Sequence, residues 1–218
     1  MTTLLPRLFR ALDRFHALHP WDHNAHYHRW IMRQLPRHFE RALDVGSGSG
    51  DLARLLASRA TSVQGLDADP AMVARARELT GAALPVRFTA GDALTEIPPG
   101  SYDVITCVAT LHHLPFSDAL THLRRHLTPG GILVVVGVAR AQSRSDHLLG
   151  AAAIPMNVAM AWIKSKGRRA PRPVSMTAPT RPATMSFAEI LGGARGVLPG
   201  VRPRRRLFWR YTLVWHHS

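Results

Sequence analysis

Between residues 42 and 138 one rhythm repeats: a short apolar run, a turn, a helical stretch, then another short apolar run. Runs at 42–45, 62–66, 86–90, 104–108 and 133–138 read as five strands with little polar alternation. Between them, helices are predicted over 51–58, 70–80 and 117–127, the second opened by Asp69 as cap with Pro70 at its first position. Strands that are apolar on both faces and separated by helices pair in parallel, with helices covering both sides. The fold expected is α/β and doubly wound, with a mostly parallel sheet.

The flanks depart from this rhythm. Residues 3–17 and 23–40 read as two amphipathic helices, split by His19-Pro20-Trp21-Asp22. In the second, Tyr27, Trp30, Ile31 and Leu35 share one face. After Val138 comes an apolar helix candidate at about 146–163, followed by the basic, proline-rich stretch KSKGRRAPRPVSMTAPTRP. Ser186 then caps a helix through Val197, and runs at 201–207 and 211–216 form an antiparallel hairpin. The expected organisation is one domain, 1–218. It has an N-terminal helical cap (1–40), a core (42–138), a lid or substrate-binding insertion after the fifth strand (140–185), and a C-terminal helix with hairpin (186–218).

Composition narrows the class. The chain of 218 residues is 46% hydrophobic and 19% charged, which excludes a disordered or collagen-like protein. Cys107 is the lone cysteine, so an internal disulfide framework and a Cys-based zinc site are excluded, and a reducing, cytoplasmic location is expected. The N-terminus carries arginines through its apolar stretch and shows no cleavage site, so no secretory signal is expected. The longest apolar run, 148–163, falls short of the roughly 20 residues of a spanning helix, so no transmembrane segment is expected either. The net charge of +14 lies wholly in the last 100 residues; in the first 118, arginines and carboxylates cancel. Arginine far outnumbers lysine, as a GC-rich genome would produce. An anionic partner or membrane surface for the basic half is the other reading.

The chemistry begins at Asp44-Val45-Gly46-Ser47-Gly48-Ser49-Gly50, where a strand ends in a glycine-rich turn before a helix. Glycines permit positive φ and close approach of a ligand to the backbone. The carboxyl end of the first strand is where doubly wound sheets bind nucleotide-like ligands. Asp67 ends the second strand, placed to accept from both hydroxyls of a ribose, and Asp92 follows the third, placed for an adenine amino group. A dinucleotide site would have G-x-G-x-x-G. This chain has G-x-G-x-G with Asp44 just ahead, and an acid there opposes a pyrophosphate but suits an ammonium group.

With its DVGSGSG loop, Asp67, Gly91-Asp92-Ala93, YDVITCVATLHHL and LTPGGILVVV in order, the chain resembles the class I S-adenosylmethionine-dependent methyltransferases. The likeness is to the small-molecule group that includes the ubiquinone and menaquinone pathway enzymes. It spans about residues 42–138 and implies a Rossmann-like, seven-stranded sheet whose final strand is antiparallel. It also implies S-adenosyl-L-methionine as cofactor. Gly46, Ser47, Gly48 and Gly50 would pass under the methionine portion, and Asp44 would hold its amino group. Asp67 would bind the ribose, Ala68 flank the adenine, Asp92 and Ala93 fix its edge, and Cys107 offer a carbonyl to the amino group.

Other residues carry sharper claims. His112 and His113 follow the fourth strand, where the methyl group would be presented, and either is a candidate base, His113 preferred; the alternative is packing. Cys107 between Thr106 and Val108 lacks the adjacent proline of cytosine-C5 enzymes, so it lines the pocket rather than acting as nucleophile. His16, His19, His23, His26 and His28 crowd together, but Pro20 interrupts any aligning helix and no metal is expected. Tyr27 and His28 are placed near the methionine end of the cofactor, or else in a half-buried aromatic helix on the sheet edge. The stretch 148–163, with Met156 and Met160, reads as a lid walling the acceptor, a core helix, or a helix lying on an anionic membrane. The expected activity is methyl transfer to a small molecule, with a phenolic or secondary metabolite as the candidate acceptor. The alternatives are an NAD(P)-dependent oxidoreductase, disfavoured by the short glycine motif and the lack of a Tyr-x-x-x-Lys pair, and a nonenzymatic RNA- or membrane-binding protein.

Overall fold

The computed structural model describes residues 4–178 and 180–218, with the side chains of 4–6, 8 and 9 left aside. The predicted first residue of the opening helix, residue 3, lies outside the described residues. Two helices, α1 (Leu4–Leu18) and α2 (His23–Gln34), precede a seven-stranded sheet. Its strands are β1 (Phe39–Val45), β2 (Ala60–Asp67), β3 (Val86–Ala90), β4 (Tyr102–Val108), β5 (Leu127–Val138), β6 (Arg202–Arg206) and β7 (Arg210–His216). Connecting helices are α3 (Asp51–Leu56), α4 (Pro70–Glu78), α5 (Phe116–Arg125), α6 (Arg144–Ser165) and α7 (Phe187–Val197).

The spatial order is β3-β2-β1-β4-β5-β7-β6, with β7 antiparallel to both its neighbours and the other pairings parallel. Alternate residues of the central strands feed two cores. Leu43, Val45, Ile105, Cys107, Leu133 and Val135 meet α5 and α7 on one face, while Ala42, Val104, Val134 and Val136 meet α2, α3 and α4 on the other. The β5–β7 pairing sets Gly137 opposite Tyr211, whose ring would collide with any Cβ at 137. From β1 the chain winds outward to β3, and from β4 it winds the other way. The crevice between the carboxyl ends of β1 and β4 is therefore the topological switch point where ligands of such sheets sit.

Several boundaries differ from the sequence reading. α2 stops at Gln34 rather than continuing to 40: Leu35 precedes Pro36 and is extended (φ −97°, ψ 154°), as the proline ring requires. The freed residues join β1, which starts at Phe39. β5 begins at Leu127, so Thr128-Pro129-Gly130-Gly131 continues the strand past an irregularity near Tyr102 and Val104 rather than serving only as a turn. β3 is a half-exposed edge and not covered on both faces. The apolar stretch after β5 extends to 22 helical residues; by length and composition α6 alone among the described residues could cross a bilayer. Pro155 sits inside it, and the helix faces the body of the protein with Ala153, Asn157 and Ala161.

Candidate functional site

At the switch point lies a cavity of about 980 Å³. That is near the upper end of small-molecule sites, roughly 300–1,000 Å³, and leaves room for a nucleoside-sized ligand beside a second molecule. Its walls come from the ends of β1 to β4, the start of α2, residues between Arg172 and Ala178, Thr180 and Arg181, and Arg210 of β7.

The turn after β1 forms because three residues need left-handed backbone: Gly46 (φ 70°), Gly48 (φ 52°) and Gly50 (φ 79°). Gly46 is held close against the chain leaving β4, where a Cβ would collide with Thr110. Asp67 fastens the turn from β2: its Oδ2 accepts from the Gly48 N–H at 2.7 Å and its Oδ1 from the Asp69 N–H at 2.9 Å. A carboxylate oxygen has two lone pairs, so each keeps one for a hydroxyl in the cavity. Asp92 Oδ1 accepts from the Leu94 N–H at 2.6 Å.

Asp44 is buried and receives a 2.7 Å hydrogen bond from Thr106 Oγ1. Burial pushes its carboxyl up to about 7; the Thr106 bond opposes this, and the Asp67 and Asp51 carboxylates add to it. Beside it the buried Ser47 Oγ has no hydrogen-bond partner.

Across the cavity, His112 and His113 sit in a single 3₁₀ turn with ring centroids 4.1 Å apart. Burial lowers the His112 pKa to about 4, helped by His113 and Arg210 and opposed by the Arg181 backbone. Its Nδ1 is buried without a partner. His113 is also lowered, by burial and by the Arg181 guanidinium, while Asp67 pulls it upward. Both rings are therefore neutral at pH 7. Arg210 is anchored to Asn24, donating from Nε and Nη2 to Asn24 Oδ1 at 3.2 and 2.9 Å. His28, lowered by burial against the pull of Asp22 and Asp51, lines the wall near them.

Of the residues singled out from sequence, Asp44, Gly46, Ser47, Gly48, Asp67, Ala68, Asp92, Ala93, His28, His112 and His113 line this cavity. Three do not. Gly50 turns away to start α3, and a Cβ there would strike Phe88. Cys107 is fully buried, paired to Val45 and Val135 within the sheet, and Val108 and Ala109 take its place at the wall. Burial pushes its thiol up to about 12, with the Asp44 charge adding to the rise, so it is an inert packing residue. Tyr27 points its hydroxyl to the Leu207 carbonyl at 2.7 Å and packs into the α2 core.

The methionine wall also moves. Met156 is exposed on α6 and Met160 packs near Trp21 and Phe208; the methionine at the cavity is Met176. Sequence reading missed Arg172, Arg181 and Arg210, whose convergence depends on the tertiary fold, and Asp22, whose carboxylate caps α2 by accepting from the Asn24 and Ala25 N–H groups. Of the crowded histidines, His23 and His26 join Trp21 and Phe208 in an aromatic cluster, His16 and His19 pack on Phe15, and His28 faces the cavity. Asn157 ties α6 to these aromatic residues through Trp21 Nε1 (2.6 Å), His23 and His16.

Residues 43–135 match the family described as a methyltransferase domain. An uncharacterized methyltransferase of Mycobacterium bovis is 32% identical over 202 residues, covering 90% of this chain and 96% of its own. A ubiquinone biosynthesis O-methyltransferase of Pseudomonas aeruginosa is 33% identical over 123 residues, 55% of this chain and 52% of that enzyme. Among solved structures, the DhpI–SAH complex superposes with a TM-score of 0.58 at 18% identity, over 99% of this chain and 89% of that one, a likeness of fold.

Proposed function

The chain belongs to the class I S-adenosylmethionine-dependent methyltransferases, and on that footing we propose that it methylates an oxygen of a small acceptor bearing an acidic hydroxyl or carboxyl group. S-adenosylmethionine is its cofactor. The residues at the carboxyl ends of β1 to β3 fit it. Asp44 is a buried carboxylate short of a cationic donor, Ser47 Oγ is a buried hydroxyl with no partner, and Asp67 and Asp92 keep lone pairs turned toward the cavity.

One observation carries the acceptor reading: charge is segregated within the cavity. Asp44, Asp51, Asp67, Asp69 and Asp92 belong to the β1–β3 side, while Arg172, Arg181 and Arg210 come from the chain after α6 and from β7, with Asp22 facing Arg210 across the α2 end. When bound, the cofactor supplies a methyl group already activated on a sulfonium. What remains for the chain is to orient the acceptor, hold its negative charge and take its proton. Arg172 and Arg181 bind the anionic form and thereby favour its ionisation. His113, neutral and less strongly depressed than His112, accepts the proton of an acceptor that arrives protonated. Arg172, Ser175, Met176 and Arg181 wall that part of the cavity, and an acceptor seated against them displaces water. The Pseudomonas aeruginosa relative is by name an O-methyltransferase of ubiquinone biosynthesis, and transfer to oxygen in that protein supports the reading.

The test is methyl transfer from labelled cofactor to matched phenols, carboxylic acids, neutral alcohols and amines. Acidic acceptors should react at least tenfold faster in kcat/KM, and Arg181→Gln should raise KM for them about tenfold while leaving neutral acceptors unchanged. Preference for amines, or indifference of KM to Arg181, overturns it.

A further inference from the structure

The outer face of α6 is at odds with a helix of a water-soluble surface. Its buried side carries small or polar residues, Ala153, Asn157 and Ala161, whereas Leu148 (73% exposed), Ile163 (63%), Ile154 and Met156 (41% each) are exposed, and Trp162 (54%) packs one side of its indole on His19 and leaves the rest in solvent. Scattered apolar side chains on a surface mean little, but a row along one helix marks an interaction face. The sole carboxylate of α6, Asp146, is withdrawn from that face: it closes the capping box with Ser143 and pairs with Arg205 at 3.2 Å.

The charge around the face is of one kind. Lys164, Lys166, Arg168 and Arg169 follow the exposed Trp162-Ile163 pair, all four exposed, and Arg144 starts the helix. The neighbouring α1 exposes Arg7, Arg10 and Arg14 against one acid, Asp13. Apolar side chains, an indole at the end of the row and a basic fringe form the pattern of a helix lying in the headgroup region of an anionic bilayer. A second copy of this chain would bring the same positive fringe against itself, so charge selects the lipid.

Spanning is the other option that the length of α6 allows, and its contacts oppose it. Asn157 accepts from Trp21 Nε1 and bonds His23 and His16, while His19 Nδ1 lies 2.9 Å from Ser165 Oγ. Insertion across the bilayer would tear out all of these, whereas lying flat leaves them intact. We propose that α6, with the basic residues flanking it, is an interfacial membrane-docking face selective for anionic lipid. The site's chemistry does not enter this inference, which stands whichever acceptor the cavity takes.

The test uses the full-length protein without cofactor or acceptor, cosedimented with vesicles of phosphatidylcholine alone or with about a third phosphatidylglycerol. Binding should be at least tenfold stronger to the anionic vesicles and should collapse at about 0.5 M salt. Leu148→Gln/Ile163→Gln should lower it at least tenfold, and Lys164→Gln/Arg169→Gln should bring it near the phosphatidylcholine level. Both pairs are solvent-exposed, so the melting temperature should not move. Arg87→Gln/Arg125→Gln, an equal loss of exposed charge on β3 and α5, should leave binding unchanged. Equal binding to both vesicles, retention that resists salt, or an equal loss from the Arg87/Arg125 pair would overturn the proposal. So would a dimer dissolved by Leu148→Gln/Ile163→Gln in a protein that ignores vesicles, or retention on RNA that the same pair leaves intact.

Discussion

The two sides of the cavity are built by different means. On the side that we propose for the cofactor, each group leaves the end of a strand in the order of the chain: the glycine turn after β1, Asp67 after β2, Asp92 after β3. These groups are held by backbone hydrogen bonds and by steric necessity, as where Gly46 meets Thr110. On the acceptor side the groups come from a 3₁₀ turn, an irregular segment and the first residue of β7, fixed by side-chain contacts such as Arg210 to Asn24. A rigid half can serve one cofactor, while an irregular half leaves the acceptor free to vary without disturbing the sheet.

Substitutions on opposite sides should therefore separate cofactor binding from turnover. The largest effect is expected at His113. If it takes the acceptor's proton, His113→Ala should lower kcat by roughly 10²–10⁴ and leave S-adenosylhomocysteine affinity within about twofold. Single-turnover rates beside calorimetric titrations check it; a rate within threefold of wild type reduces His113 to packing. Gly46→Ala should do the reverse. It places a Cβ into Thr110 and leaves a φ of 70° to a residue that resists it, so cofactor affinity should fall about 100-fold, roughly 2.7 kcal/mol. Thr110→Gly in the same chain should restore part of that loss.

Asp67 tests whether the cofactor side is as rigid as the hydrogen bonds suggest. Asp67→Ala removes the acceptor for the Gly48 and Asp69 N–H groups as well as that offered to a ribose, each worth roughly 1.5–3 kcal/mol when charged. Cofactor affinity should fall at least tenfold, and Asp67→Asn, which keeps one acceptor oxygen, should lose less.

The same contrast explains what the sequence revealed. β3 at Val86–Ala90 and α7 at Phe187–Val197 were readable because local signals bracket them: an apolar run between turns, and the Ser186–Glu189 capping box. That Asp44, Asp67 and Asp92 would reach one cavity was readable because they follow the strands one by one. Cys107 does not line the cavity because it lies one residue before the strand's end, where the wall is already Val108 and Ala109. For Tyr27 the structure takes the second alternative, a core residue of α2: helix periodicity shows which face is buried but not what the hydroxyl meets, here the Leu207 carbonyl 180 residues away. Arg181 and Arg210 left no signal, since a chain with 26 arginines does not mark the two that reach a cavity.

The smallest effect is also the most diagnostic of the cofactor side, and it concerns protons at Asp44. Its pKa is raised to about 7 in the folded, cofactor-free protein, above the ordinary carboxylate value near 3.9. Between those values the native state binds more protons than the unfolded one. Asp44 therefore contributes stability that is fully present below about pH 4 and is lost as pH rises through 7. The melting temperature of wild type relative to Asp44→Asn should accordingly decline from pH 5 to pH 7.5; the difference cancels the histidines, whose lowered values act in the opposite sense. Binding a cofactor amino group requires the carboxylate, so affinity should move the other way, weakening about threefold from pH 7.5 to 6.5 with proton uptake on release. Asp44→Asn should bind more weakly at all pH values and without that slope. A wild-type affinity flat across this range would mean that Asp44 is already ionised in the free protein, and that Thr106, rather than a ligand's cation, is the partner that settles its charge.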